Sequence, residues 1–235
     1  MTAETKADRF LAHVIQLGGG IEPDMYVIDS THVGQLPITA MVYGDLPEPG
    51  LMTGITYGLS LSEHPDWRMG KPELIITVRS ADIAWALVIA SFAEELRGEC
   101  PFTYGGILNH DQRISPESAM TAFVVFAPAA LDPKDAEIDM GDYKIYLNGC
   151  YPIHESERHF IQEHGLEAFW KLDWDINDVR RPPVAWIVAF LCSPKAVAIN
   201  GDAVVVGGGI RGAIHYWLQA FYLGTAICRG GAAAA

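Results

Sequence analysis

The sequence predicts one main domain that combines a β-sheet with helices, followed by a C-terminal extension of different character. Half of the 235 residues are hydrophobic, which is enough to fill one sizeable core. Short apolar runs bounded by Pro and Gly alternate with stretches whose apolar residues recur at helical spacing. The composition changes after Pro182-Pro183, so we place the end of the main domain there.

The N-terminal part predicts a helix followed by four strands. Between residues 4 and 17, apolar side chains recur at helical spacing, and three glycines at 18–20 end the pattern. Strands are predicted where short apolar runs are separated by Pro- and Gly-rich turns, at 25–28, 38–43, 51–59 and 74–78. We expect these strands to pair into a sheet.

Residues 80–97 predict the central core helix. Ser80 offers an N-cap, Asp82 places an acid in the first turn, and Gly98 is the expected left-handed stop. The middle of the segment, 83–90, is apolar on every side, which a soluble chain tolerates only where neighbouring elements cover the helix.

The segment that follows predicts a long loop, two strands and two short helices. Residues 100–117 are rich in Gly, Pro, Asn and Asp, which is typical of a structured surface loop that carries function. The remaining elements are two strands at 121–126 and 143–147, which bracket an acidic stretch, and two helices at 154–164 and 166–171, hinged at Gly165.

The charge distribution separates residues 1–183 from an extension at 184–235. The first segment holds 13 basic and 28 acidic residues, a net charge of −15, whereas the second holds three basic residues and one acid, +2. The extension is rich in Ala, Gly and Val, so three interpretations stay open: a small packed appendage, a poorly ordered tail, or a sequence never selected to fold.

The acidic surface of the main segment narrows the classes of partner. A formal net charge of −13 for the whole chain disfavours nucleic acid and anionic membranes. It favours rapid capture of a basic protein, because complementary fields raise encounter rates. A role in solubility alone is the competing interpretation.

The N-terminus and the cysteines predict a cytoplasmic protein without a metal or cofactor. The first residues lack the apolar core of an export signal. The four cysteines, at 100, 150, 192 and 228, lie far apart and form no CxxC pair. We therefore expect buried free thiols rather than a zinc site or a disulfide framework.

Three stretches together resemble the bacterial form of the suppressor of fused family. They are Thr53-Gly54-Ile55-Thr56-Tyr57-Gly58-Leu59-Ser60, Ile114-Ser115-Pro116-Glu117-Ser118-Ala119-Met120-Thr121-Ala122-Phe123 and Gly149-Cys150-Tyr151-Pro152-Ile153-His154-Glu155-Ser156-Glu157-Arg158. The resemblance covers about residues 40–180. It implies a single α+β domain with a mixed sheet and flanking helices.

The resemblance also implies a function in protein binding. Animal members hold a hedgehog-pathway zinc-finger transcription factor through an extended peptide, and bacterial members include immunity proteins against polymorphic toxins. Both roles are sequestration. This chain lacks the large second domain of the animal protein, so no binding residue is carried over from it.

Two motifs that suggest a nucleotide or a metal site do not meet the requirements of that chemistry. Gly207-Gly208-Gly209-Ile210-Arg211-Gly212 satisfies GxGxxG, but no acid follows it at the distance that a dinucleotide site needs. His154 and His159 are five residues apart, so on a helix they point about 140° apart and do not share a zinc ion. A capped helix start, with Glu155 and Glu157 complementing the helix dipole, is the competing interpretation.

The enzyme alternative is a hydrolase with a Ser or Cys nucleophile. Ser60 lies in Gly58-Leu59-Ser60-Leu61-Ser62, which lacks the second glycine of a nucleophile elbow. Cys100, His110 and Asp111 could meet as thiol, base and orienting acid. Such triplets also occur by chance.

The leading hypothesis is a protein that sequesters or neutralises a partner, such as a basic toxin domain or an extended peptide. Aromatic side chains beside acids are typical of interface hot spots, although tryptophans more often belong to a core. The predicted contact residues are Glu155, Glu157, Trp170, Asp173, Trp174 and Asp175. A passive domain attached to a neighbouring system is a third hypothesis.

Overall fold

A computed structural model describes residues 5–184 and 227–229. Four α-helices and one short 3-10 helix lie in these residues: α1 (Lys6–Leu17), α2 (Ala84–Glu95), α3 (Glu155–His164), α4 (Leu166–Trp170) and the 3-10 turn Leu59–Leu61. The strands are β1 (Asp24–Ile28), β2 (Ile38–Gly44), β3 (Met52–Tyr57), β4 (Lys71–Val78), β5 (Ile107–Asn109), β6 (Ala122–Phe126), β7 (Glu137–Asp139), β8 (Lys144–Ile153) and β9 (Ile227–Arg229).

The strands form one mixed sheet in the order β1-β2-β3-β4-β8-β6-β5-β9, with β7 beside the first half of β8. The first four strands make an antiparallel meander. The connection then changes, because β4 pairs with β8 in parallel, while β8, β6 and β5 are antiparallel neighbours. The α+β class with a mixed sheet and flanking helices is confirmed.

The two faces of the sheet are covered by different helices. Along β2, Ala40 and Val42 pack in the cluster that contains α2, whereas Met41 and Tyr43 pack with α1 on the opposite face. This is the alternation that a strand buried on both faces requires. Helices α3 and α4 lie on the same face as α1 but over the other end of the sheet, where they pack on β5, β6 and the end of β8.

Helix α2 is the core helix that its apolar sequence predicts. Trp85, Ala86 and Ile89 have no exposed surface. Its small residues let the sheet approach closely, because a Cβ atom added to Gly54 of β3 would lie 2.5 Å from the Cβ of Ala86. The sequence therefore places a glycine and an alanine where strand and helix touch.

The ends of α2 differ from the prediction by a few residues. The helix begins at Ala84 with Ile83, rather than Ser80, at the N-cap position, and the backbone N–H of Ala84 donates to the Oδ1 of Asp82 at 3.0 Å. Ser80 instead accepts from the N–H of Asp82 at 2.9 Å. The helix ends at Glu95, two residues before the predicted Arg97, with Leu96 as its C-cap, and Gly98 has the predicted left-handed conformation at φ +79°.

Long-range pairing explains the strands that the sequence pattern missed or shortened. Strand β5 lies within the predicted loop 100–117, and β7 lies within the acidic stretch; each has only three residues, too few to show a period. The predicted strand 143–147 continues to Ile153, because β6 pairs with its second half. The segment 184–235, including the GxGxxG motif, lies outside the described residues except for Val184 and β9.

Candidate functional site

The first turn of α3 fixes the position of Glu157. His154 precedes the helix with an extended backbone, and its N–H donates to the Oε2 of Glu157 at 2.9 Å, as in a capping box. This arrangement turns the Glu157 side chain back into the protein, where it has no exposed surface. The capped helix start is thus observed.

The buried Glu157 carboxylate binds Arg181 and Val184. Arg181 donates to it through both terminal nitrogens, at 2.5 Å from Nη1 to Oε1 and 2.9 Å from Nη2 to Oε2. The backbone N–H of Val184 donates to Oε1 at 2.8 Å. His154 Nε2 lies 3.0 Å from the carbonyl oxygen of Arg181, and burial lowers the pKa of this histidine. His154 and Glu157, which belong to the third stretch that resembles the family, thus hold residues 181–184 in place.

Arg181 connects this ion pair to a row of aromatic rings. Its guanidinium lies 4.3 Å from the ring centroid of Trp174, which is a cation–π contact. Trp174 stacks on Trp170, with 5.3 Å between centroids and an interplanar angle of 16°. Trp170 then contacts Phe126 at 5.2 Å, and Phe126 contacts Tyr104 at 5.3 Å. We call Tyr104, Phe126, Trp170 and Trp174 the aromatic ledge.

The aromatic ledge is only partly covered by the rest of the described chain. Tyr104 is 50 % exposed, and Phe126, Trp170 and Trp174 are half-buried. The rings are held from beneath, since Trp170 also meets Tyr151 edge-on at 5.4 Å and Trp174 contacts the fully buried Phe169 at 4.9 Å. Partly exposed aromatic rings on a rigid support suit a protein contact.

The six predicted contact residues fall into three groups. Trp170 and Trp174 are stacked in the aromatic ledge, and Asp173 and Asp175 are close to it in sequence, the first exposed and the second half-buried. Glu155 is exposed but paired, because Arg158 donates to it from Nε at 2.8 Å and also from Nη2. Glu157 lies in the core, so it supports the ledge through Arg181 and offers no carboxylate to a partner.

Sequence reasoning missed Arg181, Tyr104, Phe126 and Tyr151. Tyr104, Phe126 and Tyr151 lie far from Trp170 in sequence, and only the sheet brings β6, β8 and residues 181–184 together. Arg181 lies in Arg180-Arg181-Pro182-Pro183, a stretch that in the sequence indicated only the predicted end of the main domain. No local pattern in the sequence indicates that it is the partner of Glu157.

Ser60, one of the two predicted nucleophiles, belongs to a buried carboxylate cluster. Its hydroxyl donates to the Oε1 of Glu73 at 2.7 Å, and its own N–H and that of Gly58 donate to the same oxygen at 2.9 and 2.8 Å. Thr56 donates to the other oxygen at 2.6 Å. Ser60 and Glu73 have no exposed surface, so this cluster fastens the turn after β3. Burial raises the pKa of Glu73.

The triplet of Cys100, His110 and Asp111, named in the enzyme alternative, does not contain a free thiol. Cys100 is disulfide-bonded, so the expectation of a free thiol fails there. Cys150 is a buried free thiol, and burial raises its pKa far above the ordinary value. His110 packs edge-on against Phe92 at 6.0 Å between centroids, and Asp111 accepts a hydrogen bond from Asn109.

Neither a metal cluster nor a membrane-spanning helix is found among the described residues. No group of three or more His, Cys, Asp or Glu side chains in this part of the chain is placed to hold a metal ion. His154 is buried against Arg181, whereas His159 is exposed beside Glu155. No helix within the described ranges combines the length and apolar character needed to cross a membrane.

The order of elements and the mixed sheet define an α+β domain whose helices cover both faces of the sheet. The chain belongs to the suppressor of fused family, because the family profile of the suppressor of fused protein (SUFU) matches residues 34–182. The match includes α2, most of the sheet and the ion pair between Glu157 and Arg181.

Solved structures show the same fold. A suppressor of fused homologue from Neisseria gonorrhoeae has a TM-score of 0.60 and 16% identity, covering 74% of this chain and 93% of its own. The structure of the Sufu-Fu complex gives 0.58 and 12%, covering 86% and 99%. Drosophila Suppressor of Fused gives 0.56 and 12%, covering 79% of this chain and 52% of the fly protein. No curated protein sequence is significantly similar to this chain.

Proposed function

We propose that this chain is a cytoplasmic protein-binding domain that sequesters a basic partner, and that its contact surface is the aromatic ledge with Asp173 and Asp175. The observation that carries this proposal is the half-buried stack of Trp170 on Trp174, held by a buried ion pair. The solved Sufu-Fu complex supports the general role, because it is an assembly formed by a member of the same fold.

The chemistry of the surface favours a basic partner. Tryptophan rings in a rigid setting are typical binding hot spots, and their faces attract Arg and Lys side chains. Asp173 lies between the two tryptophans in the sequence, and its side chain is exposed. Residues 1–183 carry a net charge of −15. Specifically, we propose that the partner is a cationic toxin domain, which this chain neutralises by covering it stoichiometrically.

The experiment compares two charge reversals that change the net charge equally. The tagged full chain is used at low salt to capture the protein encoded beside it, and the dissociation constant is measured for wild type, Asp173→Lys and Asp132→Lys. Asp132 is an exposed acid, 74% accessible, in the segment before β7. We expect Asp173→Lys to weaken binding about tenfold, corresponding to about 1.4 kcal/mol, with no change for Asp132→Lys.

Equal weakening by both substitutions would contradict the proposed surface, since it would show that only the total charge matters. Recovery of no specific partner at low salt would contradict sequestration itself.

A further inference from the structure

Strand β1 is the edge strand of the sheet that the described residues form, at the end opposite the aromatic ledge. It heads the strand order and pairs only with β2 among the described strands, whereas the ledge is built around β6 near the other end. An unpaired strand edge offers a row of backbone N–H and C=O groups to another chain. Proteins commonly protect such an edge with Lys residues or cover it with another element.

The apolar surface of the described chain is concentrated at this edge. Five of its eight exposed large hydrophobic side chains lie between residues 21 and 36: Ile21, Met25, Val27, Val33 and Leu36. Met25 and Val27 are 50 % and 59 % exposed and alternate along β1, so they point to the same face. A strand added at the edge could place alternate apolar side chains beside them.

Both ends of β1 are held in place. Before the strand, the hydroxyl of Tyr43 donates to the carbonyl oxygen of Ile21 at 3.0 Å. After the strand, the buried Glu94 of α2 accepts from the N–H of Thr31 at 2.7 Å and from the hydroxyl of Ser30 at 3.1 Å. Arg97 donates to the carbonyl oxygen of Leu36 at 2.9 Å. The edge is therefore fixed before anything binds, which lowers the entropic cost of adding a strand.

The acidic residues around β1 indicate which kind of segment can pair with this strand. Glu22, Asp24 and Asp29 are exposed, and residues 21–29 contain no Lys or Arg. Pairing β1 with β1 of a second copy would bring two acidic edges together, and like charges across an interface disfavour association. A segment with basic residues at its ends would instead be attracted at both ends.

We infer that β1 is a second interaction surface, which adds an extended, basic-flanked segment of a partner protein as a further strand. The partner segment would alternate apolar side chains against Met25 and Val27 and place Lys or Arg near Asp24 and Asp29. This inference does not depend on the aromatic ledge, because the two surfaces lie at opposite ends of the sheet.

The test uses a defined peptide and the full chain. The probe is fluorescein-labelled Lys-Val-Thr-Val-Thr-Val-Lys, and the charge control is Glu-Val-Thr-Val-Thr-Val-Glu. Fluorescence polarisation at low salt should show binding of the first peptide at least about tenfold tighter than of the second. Hydrogen exchange should show that the first peptide protects the amides of β1.

Two variants and one control locate the binding site. Val27→Lys places on the edge a positive charge that repels the lysines of the peptide. Val27→Thr removes apolar surface while keeping a β-branched side chain that suits a strand. Both should weaken the lysine-flanked peptide, the first by about tenfold. Met69→Lys, at a side chain that is 83 % exposed elsewhere, should leave binding unchanged.

Three outcomes would overturn the inference. The first is that both peptides bind with equal affinity or that neither peptide binds. The second is amide protection outside β1, and the third is a concentration-dependent dimer of the full chain that Val27→Lys converts to monomer, which would make a second copy the occupant. If the Asp173→Lys experiment fails while the β1 result holds, only the aromatic ledge is refuted.

Discussion

At the scale of single residues, Arg181 and Glu157 carry the most consequence. They form a buried ion pair that holds residues 181–184 in place and supports Trp174. Removing one partner of such a pair leaves an uncompensated buried charge, which costs far more than the pair itself contributes. The same contact links the stability of the fold to the shape of the aromatic ledge.

Arg181→Met should therefore lower the free energy of unfolding by about 3–5 kcal/mol, measured by urea denaturation. The tryptophan fluorescence of the folded state should also change, because the cation over Trp174 is lost. Lys171→Met is the matched control, since it removes a cation from the exposed pair with Glu167 and should leave the urea midpoint unchanged. An equally small effect of Arg181→Met would show that the buried pair does not hold the domain end.

The buried Glu73 predicts a specific dependence of stability on pH. Burial raises the pKa of Glu73 in the folded protein above its ordinary value of about 4.5, so the folded state binds this proton more tightly than the unfolded state does. Its contribution is then fully present below about pH 4.5 and is lost as pH rises through the folded pKa.

Glu73→Gln should remove this contribution. The difference in unfolding free energy between wild type and Glu73→Gln should shift against wild type as pH rises above about 4.5, measured by chemical denaturation at several pH values. Glu155→Gln is a control of opposite sign, because the hydrogen bond from Arg158 lowers the pKa of Glu155 and its contribution is lost as pH falls. A pH-independent difference for Glu73→Gln would mean that the carboxyl group titrates alike in both states.

At the scale of elements, the contact between β3 and α2 sets the thickness of the core. Gly54 lies against Ala86, in the middle of the strand and near the start of the helix. The two small residues allow the backbones to approach, so the core has no room for a methyl group at this point.

Gly54→Ala should destabilise the protein by about 1–3 kcal/mol, because the added methyl group overpacks the contact with Ala86. Gly44→Ala is the matched control, since Gly44 ends β2 and a Cβ there would meet nothing within 4 Å. Thermal denaturation of both variants tests this expectation. Equal stability would show that α2 can shift away from the sheet at little cost.

At the scale of the whole molecule, one sheet separates the two proposed surfaces. Strand β1 ends the sheet on one side, and β6 carries the aromatic ledge near the other. The parallel pairing of β4 with β8 joins the N-terminal meander to the C-terminal strands, so a single core holds both surfaces in fixed relation. A partner could engage either surface without unfolding the other.

The sequence alone determined the helices, including the core helix α2, and the strands β1 to β4, β6 and the first part of β8. It did so because apolar spacing, caps and Gly stops are local signals. It also determined the family, through motifs whose residues are neighbours in the chain.

Only the tertiary structure decided what those residues do. It placed Glu157 in the core, joined Trp170 to Phe126 and Tyr104, and put β1 at the edge of the described strands. The physical reason is that burial, ion pairing and strand order depend on contacts between residues far apart in the chain, which no local pattern contains.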